Sequence, residues 1–273
     1  MAKIEPNNEL SLRLKTGFIV AVGIGALVYT HTFVVGLFVL ILAFLGAQEL
    51  TKMLSNVGED DGIKLPEWFL PSTSILMGFG VLIGEYALHA SLIICSISWI
   101  IFELVFTQKK ELSNFSSLGF GLFGMIWIVW SILHVTLIKK MPDGSNLLLL
   151  LILVISFSDV AAYFGGKSFG KSLLAPNISP KKTWEGSFFG VIGGGLVGAI
   201  FGEHFLSMFW LKGLLLSIVL SVIGQFSDLV ESKIKRLCNV KDSGTILPGH
   251  GGVLDRIDGY LMAAPAFYYF IKM

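Results

Sequence analysis

The sequence predicts an all-α polytopic membrane protein of about nine transmembrane helices with its N-terminus in the cytoplasm. Three observations carry that reading. Of 273 residues, 54% are hydrophobic and only 14% charged, against roughly a quarter charged in an ordinary soluble domain. Mean hydropathy is +0.77. The apolar residues fall into runs near 12–30, 33–54, 69–88, 90–106, 116–138, 146–165, 187–206, 210–231 and 257–272, and a spanning helix needs about 20 mostly apolar residues. These features exclude a water-soluble globular enzyme and a disordered chain. A net charge of +1 offers no polyanion-seeking surface, so no nucleic-acid partner is expected. Cys95 and Cys238 allow neither a disulfide framework nor a cysteine metal cluster.

The first two runs are short, and are either two tilted helices joined at Thr30-His31-Thr32 or one long pass. Charge favours two. With nine spans and the N-terminus inside, only Lys139, Lys140, Lys212 and Lys272 of the 20 lysines and arginines lie outside, as positive-inside asymmetry requires. The first run lacks a small-residue cleavage site and reads as a retained helix. Residues 1–140 are expected to be a scaffold of transmembrane helices. Residues 141–273 are expected to carry the active site on further helices and cytoplasmic loops. Glu59-Asp60-Asp61 reads as a solvated loop. His31, His89, His134 and His204 read as interfacial side chains at outer helix ends. Glu49, Glu85 and Glu103 lie near helix ends and receive no chemistry. Gly190, Gly194, Gly198 and Gly202 recur every four residues, a spacing that lets helix backbones approach closely. Packing within the chain is the simpler use of that stripe; a homodimer seam is the alternative.

The polar residues gather in two inner loops. The first runs from Ser158-Asp159 through Lys167 and Lys171 to Ser179-Pro180-Lys181-Lys182-Thr183-Trp184-Glu185-Gly186. The second runs from Asp228 through Lys235, Arg236, Lys241-Asp242 and His250-Gly251-Gly252 to Asp255-Arg256-Ile257-Asp258. Asp159, Asp228 and Asp258 adjoin or enter apolar runs. A carboxylate at bilayer depth costs about 2.5–3.5 kcal/mol on insertion scales, so it needs a partner or a cation. Asp255 and Asp258 share a helix face, and with Asp228 they form an oxygen set suited to Mg²⁺, with room for a second cation. The competing assignment places Asp255 at a helix start and pairs Asp258 with a lysine. Glycines let backbone N–H groups close around phosphate oxygens. Carboxylates, cations and bare backbone together describe a nucleotide or polyphosphate site at a membrane surface. Trp184 is either an interfacial anchor or a stacking platform for a base.

The 27 residues Ser232–Asp258 resemble the signature of the phosphatidate cytidylyltransferases, also called CDP-diglyceride synthases. Ser179–Gly186 and Asp159-x-x-Ala162-Tyr163-x-x-Gly166 resemble that family's upstream motifs. About the last 120 residues share the likeness; the first 140 match only as hydrophobic spans. Ser227, where glycine is commoner, and Gly259, where serine is expected, depart from the pattern. The resemblance implies transfer of CMP from CTP to phosphatidate, with Mg²⁺, at the inner membrane of a bacterium. It implies catalytic roles for Asp228, Asp255, Asp258, Lys241 and Asp242. The first three are also the expected metal ligands. Substrate contacts are expected from Asp159, Lys167, Ser179, Lys181, Lys182, Thr183, Lys235, Arg236, His250, Gly251, Gly252 and Arg256. CTP-dependent polyprenol kinases share the chemistry but not the complete signature. A CDP-alcohol phosphotransferase would need Ala-Arg after Gly259, where Tyr260-Leu261 stands. A cation transporter would need charges through the bundle centre.

Overall fold

A computed structural model describes residues 22–55, 65–106, 112–246 and 251–273. It is a helical bundle with one small hairpin. The helices are α1 (Thr32–Ser55), α2 (Phe69–Ile83), α3 (Glu85–Phe106), α4 (Leu112–Gly124), α5 (Ser131–Lys140), α6 (Gly144–Phe169), α7 (Trp184–Leu206), α8 (Trp210–Leu237) and α9 (Leu254–Lys272). A π-helical segment, Met125–Trp130, joins α4 to α5 without a break. Among the described residues, six stretches are long and apolar enough to cross a membrane. They are α1, Glu85–Val105 in α3, Ser116–Lys140, α6, α7 and α8. Helix α2, at 15 residues, is shorter. Helix α9 carries Asp255, Arg256 and Asp258 in its opening turns, and so falls short in apolarity rather than in length.

The expected runs reappear as separate helices, with boundaries set by local chemistry. Residues 22–28 are helical, and the chain breaks at 29–31 before α1. The first two runs are therefore distinct helices where they are described; the start of the first lies outside the described residues, as does Glu59-Asp60-Asp61. The break between α2 and α3 falls at Gly84, several residues earlier than the hydropathy pattern placed it. The Lys140 ammonium donates to the carbonyls of Val81 and Leu82, both at 2.7 Å. A cation there satisfies the orphan carbonyls of a helix C-terminus.

The first inner loop holds regular structure: its opening from Ser158 to Phe169 belongs to α6. Strands β1 (Leu173–Ala175) and β2 (Ser179–Thr183) form an antiparallel hairpin, with Leu173 opposite Thr183 and Ala175 opposite Ser179. Pro176-Asn177 supply the turn chemistry. Glu185 closes the base by accepting from the Lys171 and Ser172 amides at 3.1 and 3.2 Å.

The glycine stripe is buried inside the chain, which removes it as a dimer seam. A Cβ at Gly194 would lie 2.1 Å from the Ser221 hydroxyl, and one at Gly198 would lie 1.7 Å from that of Ser217. Both serines belong to α8, so α7 and α8 approach at backbone distance along this face.

His134 departs from its expected interfacial place. It is fully buried, with Nδ1 2.8 Å from the Trp130 carbonyl and its ring among those of Trp130, Tyr268 and Tyr269. His89 lies 2.9 Å from the Tyr269 hydroxyl. Glu85 pairs with Lys272 at the same end of the bundle. The C-terminal ends of α1, α6 and α8 and the N-terminal ends of α7 and α9 meet at the opposite end. A continuous apolar cluster from Val28 to Tyr268 runs between the two.

Candidate active site

Close helix packing brings the first inner loop onto the second. A Cβ at Gly186 would sit 2.8 Å from the Ala162 carbonyl and 3.0 Å from the Gly166 Cα. Only small residues at these positions let the start of α7 lie against the end of α6. Thr183 caps α7, its hydroxyl accepting from the Gly186 amide at 3.1 Å; such caps typically contribute ~1 kcal/mol. The cap fixes the last residues of β2. Lys181 and Lys182 then reach a cavity of about 360 Å³ whose wall includes Asp159, Lys167, Thr183, Gln225 and Asp228. Ser179, at the far end of β2, is not part of that wall.

Lys182 makes an ion pair with Asp228, and each side chain is about 30% exposed. Behind them, Gln225 accepts from the Ser187 hydroxyl and donates to the Ser158 hydroxyl at 3.3 Å. This polar floor ties α6, α7 and α8 together one turn below Asp228.

The carboxylates group differently from the sequence expectation. Oxygens of Asp228, Glu231 and Asp258 lie within 4.8 Å of one another. Asp255 is not one of these three, although Lys235 links it to Glu231. Its carboxylate pairs with Lys235 at 2.6 Å and accepts from the Gly252 and Ser243 amides at 2.8 and 2.9 Å. Glu231, one turn after Asp228, joins two of the expected aspartates. The spacing that singled out Asp255 and Asp258 also relates Asp228 to Glu231, and it would have found this residue.

The remaining residues of the second loop surround this cluster. Lys235 bridges Glu231 and Asp255, so it balances carboxylates. Arg236 donates to the Ile178 and Val240 carbonyls at 3.2 and 3.4 Å, joining the hairpin turn to the end of α8. Lys241, Asp242 and Arg256 are exposed. Gly251 has φ +83°, a conformation suited to glycine, and a Cβ there would meet the Asp255 carboxylate at 2.6 Å. His250 lies outside the described residues. Ser227 and Gly259 meet at one crossing: the Ser227 hydroxyl donates to the Asp258 carbonyl, while Gly259 packs on Ile155 and Gly224.

The trio suits a small hard cation. Three carboxylates supply oxygens only, and Mg²⁺ takes one or two carboxylates together with phosphate oxygens. Lys167, Lys181 and Lys182 line the cavity together with Asp228, so an anionic group held there would lie beside such a cation.

The cytidylyltransferase family matches the chain over residues 11–273. An uncharacterized protein of Escherichia coli (strain K12), YnbB, is 31% identical over 274 residues, covering 97% of this chain and 88% of the relative. Phosphatidate cytidylyltransferase 5, chloroplastic, of Arabidopsis thaliana is 29% identical over 99% of this chain and 74% of its own length. A phosphatidate cytidylyltransferase of Synechocystis sp. is 42% identical over 50% of this chain and 46% of its own length. A match that begins beside the first apolar run and continues to residue 273 takes in both loops and the scaffold that brings them together, and this membrane protein belongs to the cytidylyltransferase family.

Proposed function

We propose that the protein transfers CMP from CTP to phosphatidate, giving CDP-diacylglycerol and pyrophosphate, at the cytoplasmic face of a bacterial inner membrane. The observation that carries this reading is the lysine-lined cavity beside the Asp228–Glu231–Asp258 trio. Relatives bearing the name phosphatidate cytidylyltransferase support the choice of substrates.

An ionised phosphate oxygen of phosphatidate attacks the α-phosphorus of CTP. A new P–O bond forms, the bond from the α-phosphorus to the bridging oxygen breaks, and pyrophosphate leaves with that electron pair. The nucleophile is already deprotonated, so no general base is required. Positioning and electrostatics must therefore supply the rate, as in phosphoryl transfer generally. Lys167, Lys181 and Lys182 hold the lipid phosphate in the cavity. The Gly251-Gly252 turn, with Lys241 and Arg256, faces the nucleotide phosphates. Asp228, Glu231 and Asp258 would hold Mg²⁺, which supplies Lewis-acid stabilisation of charge on the reacting and departing phosphates.

The test is CTP turnover by purified protein. Pyrophosphate release should require both phosphatidate and Mg²⁺. Folded protein that releases none with both present would overturn the reading.

A further inference from the structure

Glu49 lies on α1, in the scaffold half, and is 3% exposed. A carboxylate so placed needs strong partners. Its Oε1 accepts from the Val253 amide at 2.9 Å, and its Oε2 accepts from the Leu254 amide at 2.8 Å and the Ser243 hydroxyl at 2.9 Å. The two amides open α9. The first N–H groups of a helix have no partner within it, and a local cap is normally Ser, Thr, Asp or Asn. Here the cap position is Val253, which makes no side-chain cap. The cap arrives instead from a helix some 200 positions earlier in the chain. A negative charge also suits a helix N-terminus.

The loop is shaped around this carboxylate. A Cβ at Gly244 or at Gly252 would approach it to 2.5 Å. Glu49 thus fixes both the axial position and the rotation at which α9 begins. An α-helix turns about 100° per residue, from its 3.6-residue repeat. A slip of one residue at Leu254 would swing Asp258 away from Asp228 and Glu231.

We propose that Glu49 is a positioning residue: it acts on the reaction through α9, by fixing the N-terminus from which Asp258 is presented to Asp228 and Glu231. The inference rests on the proposed assignment of those three carboxylates to a cation. It assigns work to the N-terminal half beyond support, and it explains why Gly244 and Gly252 carry no side chain where they lie against Glu49.

The test uses the full-length protein in detergent, with Mn²⁺ alone as the probe. Mn²⁺ affinity is measured by electron paramagnetic resonance, and backbone order by hydrogen exchange over residues 251–259. Glu49→Gln, Glu49→Ala and Ser243→Ala are compared with the wild type. Glu49→Gln keeps one good acceptor, so it should fold. Its Mn²⁺ dissociation constant should rise about tenfold, the scale of a lost supporting contact to a metal site, with faster exchange at 253–259 and unchanged exchange in α7. Ser243→Ala should move both readouts in the same direction by less. A merely structural role would lower thermal stability and leave Mn²⁺ affinity intact in the folded fraction. Unchanged affinity in Glu49→Gln, beside a wild type that binds Mn²⁺, would overturn the inference alone. A wild type that binds no Mn²⁺ would overturn the cation assignment and the inference with it. Should Glu49→Ala not fold, the other two variants decide.

Discussion

Lys182 and Asp228, 46 residues apart, form a direct ion pair between the end of the β-hairpin and α8. The pair joins the two inner loops at one point, on the wall of the cavity. The lysine reaches it because Thr183 caps α7 and Gly186 lets α7 close on α6. The aspartate reaches it from one turn above Gln225.

Lys182→Ala should separate anion binding from cation binding. Removing the ammonium deletes a phosphate contact and leaves the carboxylates in place. The KM for phosphatidate should rise about tenfold, as for loss of one charged hydrogen bond. Mn²⁺ affinity should stay level or tighten, because Asp228 loses a competing cation. A titration of turnover against lipid and a separate Mn²⁺ binding curve check the two halves. Weakened Mn²⁺ binding would place Lys182 in a supporting role to the trio instead.

The carboxylates should fall into two groups. Asp258→Asn and Glu231→Gln should each lower turnover at least about 100-fold, the scale of losing one charge-stabilising group. Both should weaken Mn²⁺ binding while the protein still folds. Asp255→Asn should behave differently, because its carboxylate pairs with Lys235 and caps the turn at Gly252. Its loss should cost about 2 kcal/mol of stability and leave partial turnover with a normal Mn²⁺ response. Thermal unfolding and Mn²⁺ titration of the three folded variants distinguish the groups.

Helix positions were legible in the sequence because hydropathy and charge act locally. The convergence of Asp159, Lys181, Lys182 and Asp228 was legible too, through motif and sidedness. The grouping of the carboxylates was not. Asp255 and Asp258 share a helix, but Asp255 sits in the first turn, where loop amides and Lys235 capture it. Glu231 was hidden among the charges that follow α8's apolar part, although its spacing from Asp228 was in view. Glu49 was not legible, since its partners come from Ser243, Val253 and Leu254, and only the assembled bundle brings them near. His134 was expected at an outer helix end; packing by Tyr268 and Tyr269 from α9 buries it.

The α7–α8 contact predicts an asymmetry among glycines. Gly198→Ala places a Cβ 1.7 Å from the Ser217 hydroxyl and 2.8 Å from the Gly213 carbonyl. Backbone cannot yield cheaply there, and overpacking of this kind costs roughly 1–3 kcal/mol. Gly119→Ala, with nothing within 4 Å of its Cβ, should be neutral or slightly stabilising, since alanine favours a helix by about 1 kcal/mol over glycine. Detergent thermal-shift curves test the pair. Equal stability of both variants would show that α7 and α8 separate more readily than their geometry implies.

Sidedness gives the last prediction. Lys181, on the hairpin, and Lys212, at the start of α8, lie at opposite ends of the bundle: α8 runs from Lys212 to Asp228, which pairs with the hairpin's Lys182. Both lysines are exposed, so a cysteine at either place meets reagent without disturbing the core. The native thiols, Cys95 and Cys238, are buried and provide a quiet background. On the positive-inside asymmetry the hairpin is expected in the cytoplasm, where CTP is found. In intact cells an impermeant maleimide should therefore label Lys212→Cys and spare Lys181→Cys. Permeabilised cells should label both. The reverse pattern would turn the bundle over and place the lysine-lined cavity on the side without nucleotide, which would defeat the proposed reaction whatever the carboxylates bind. Labelling of Lys181→Cys from both sides would instead show that the hairpin is reached through the protein, a route its exposed position does not require.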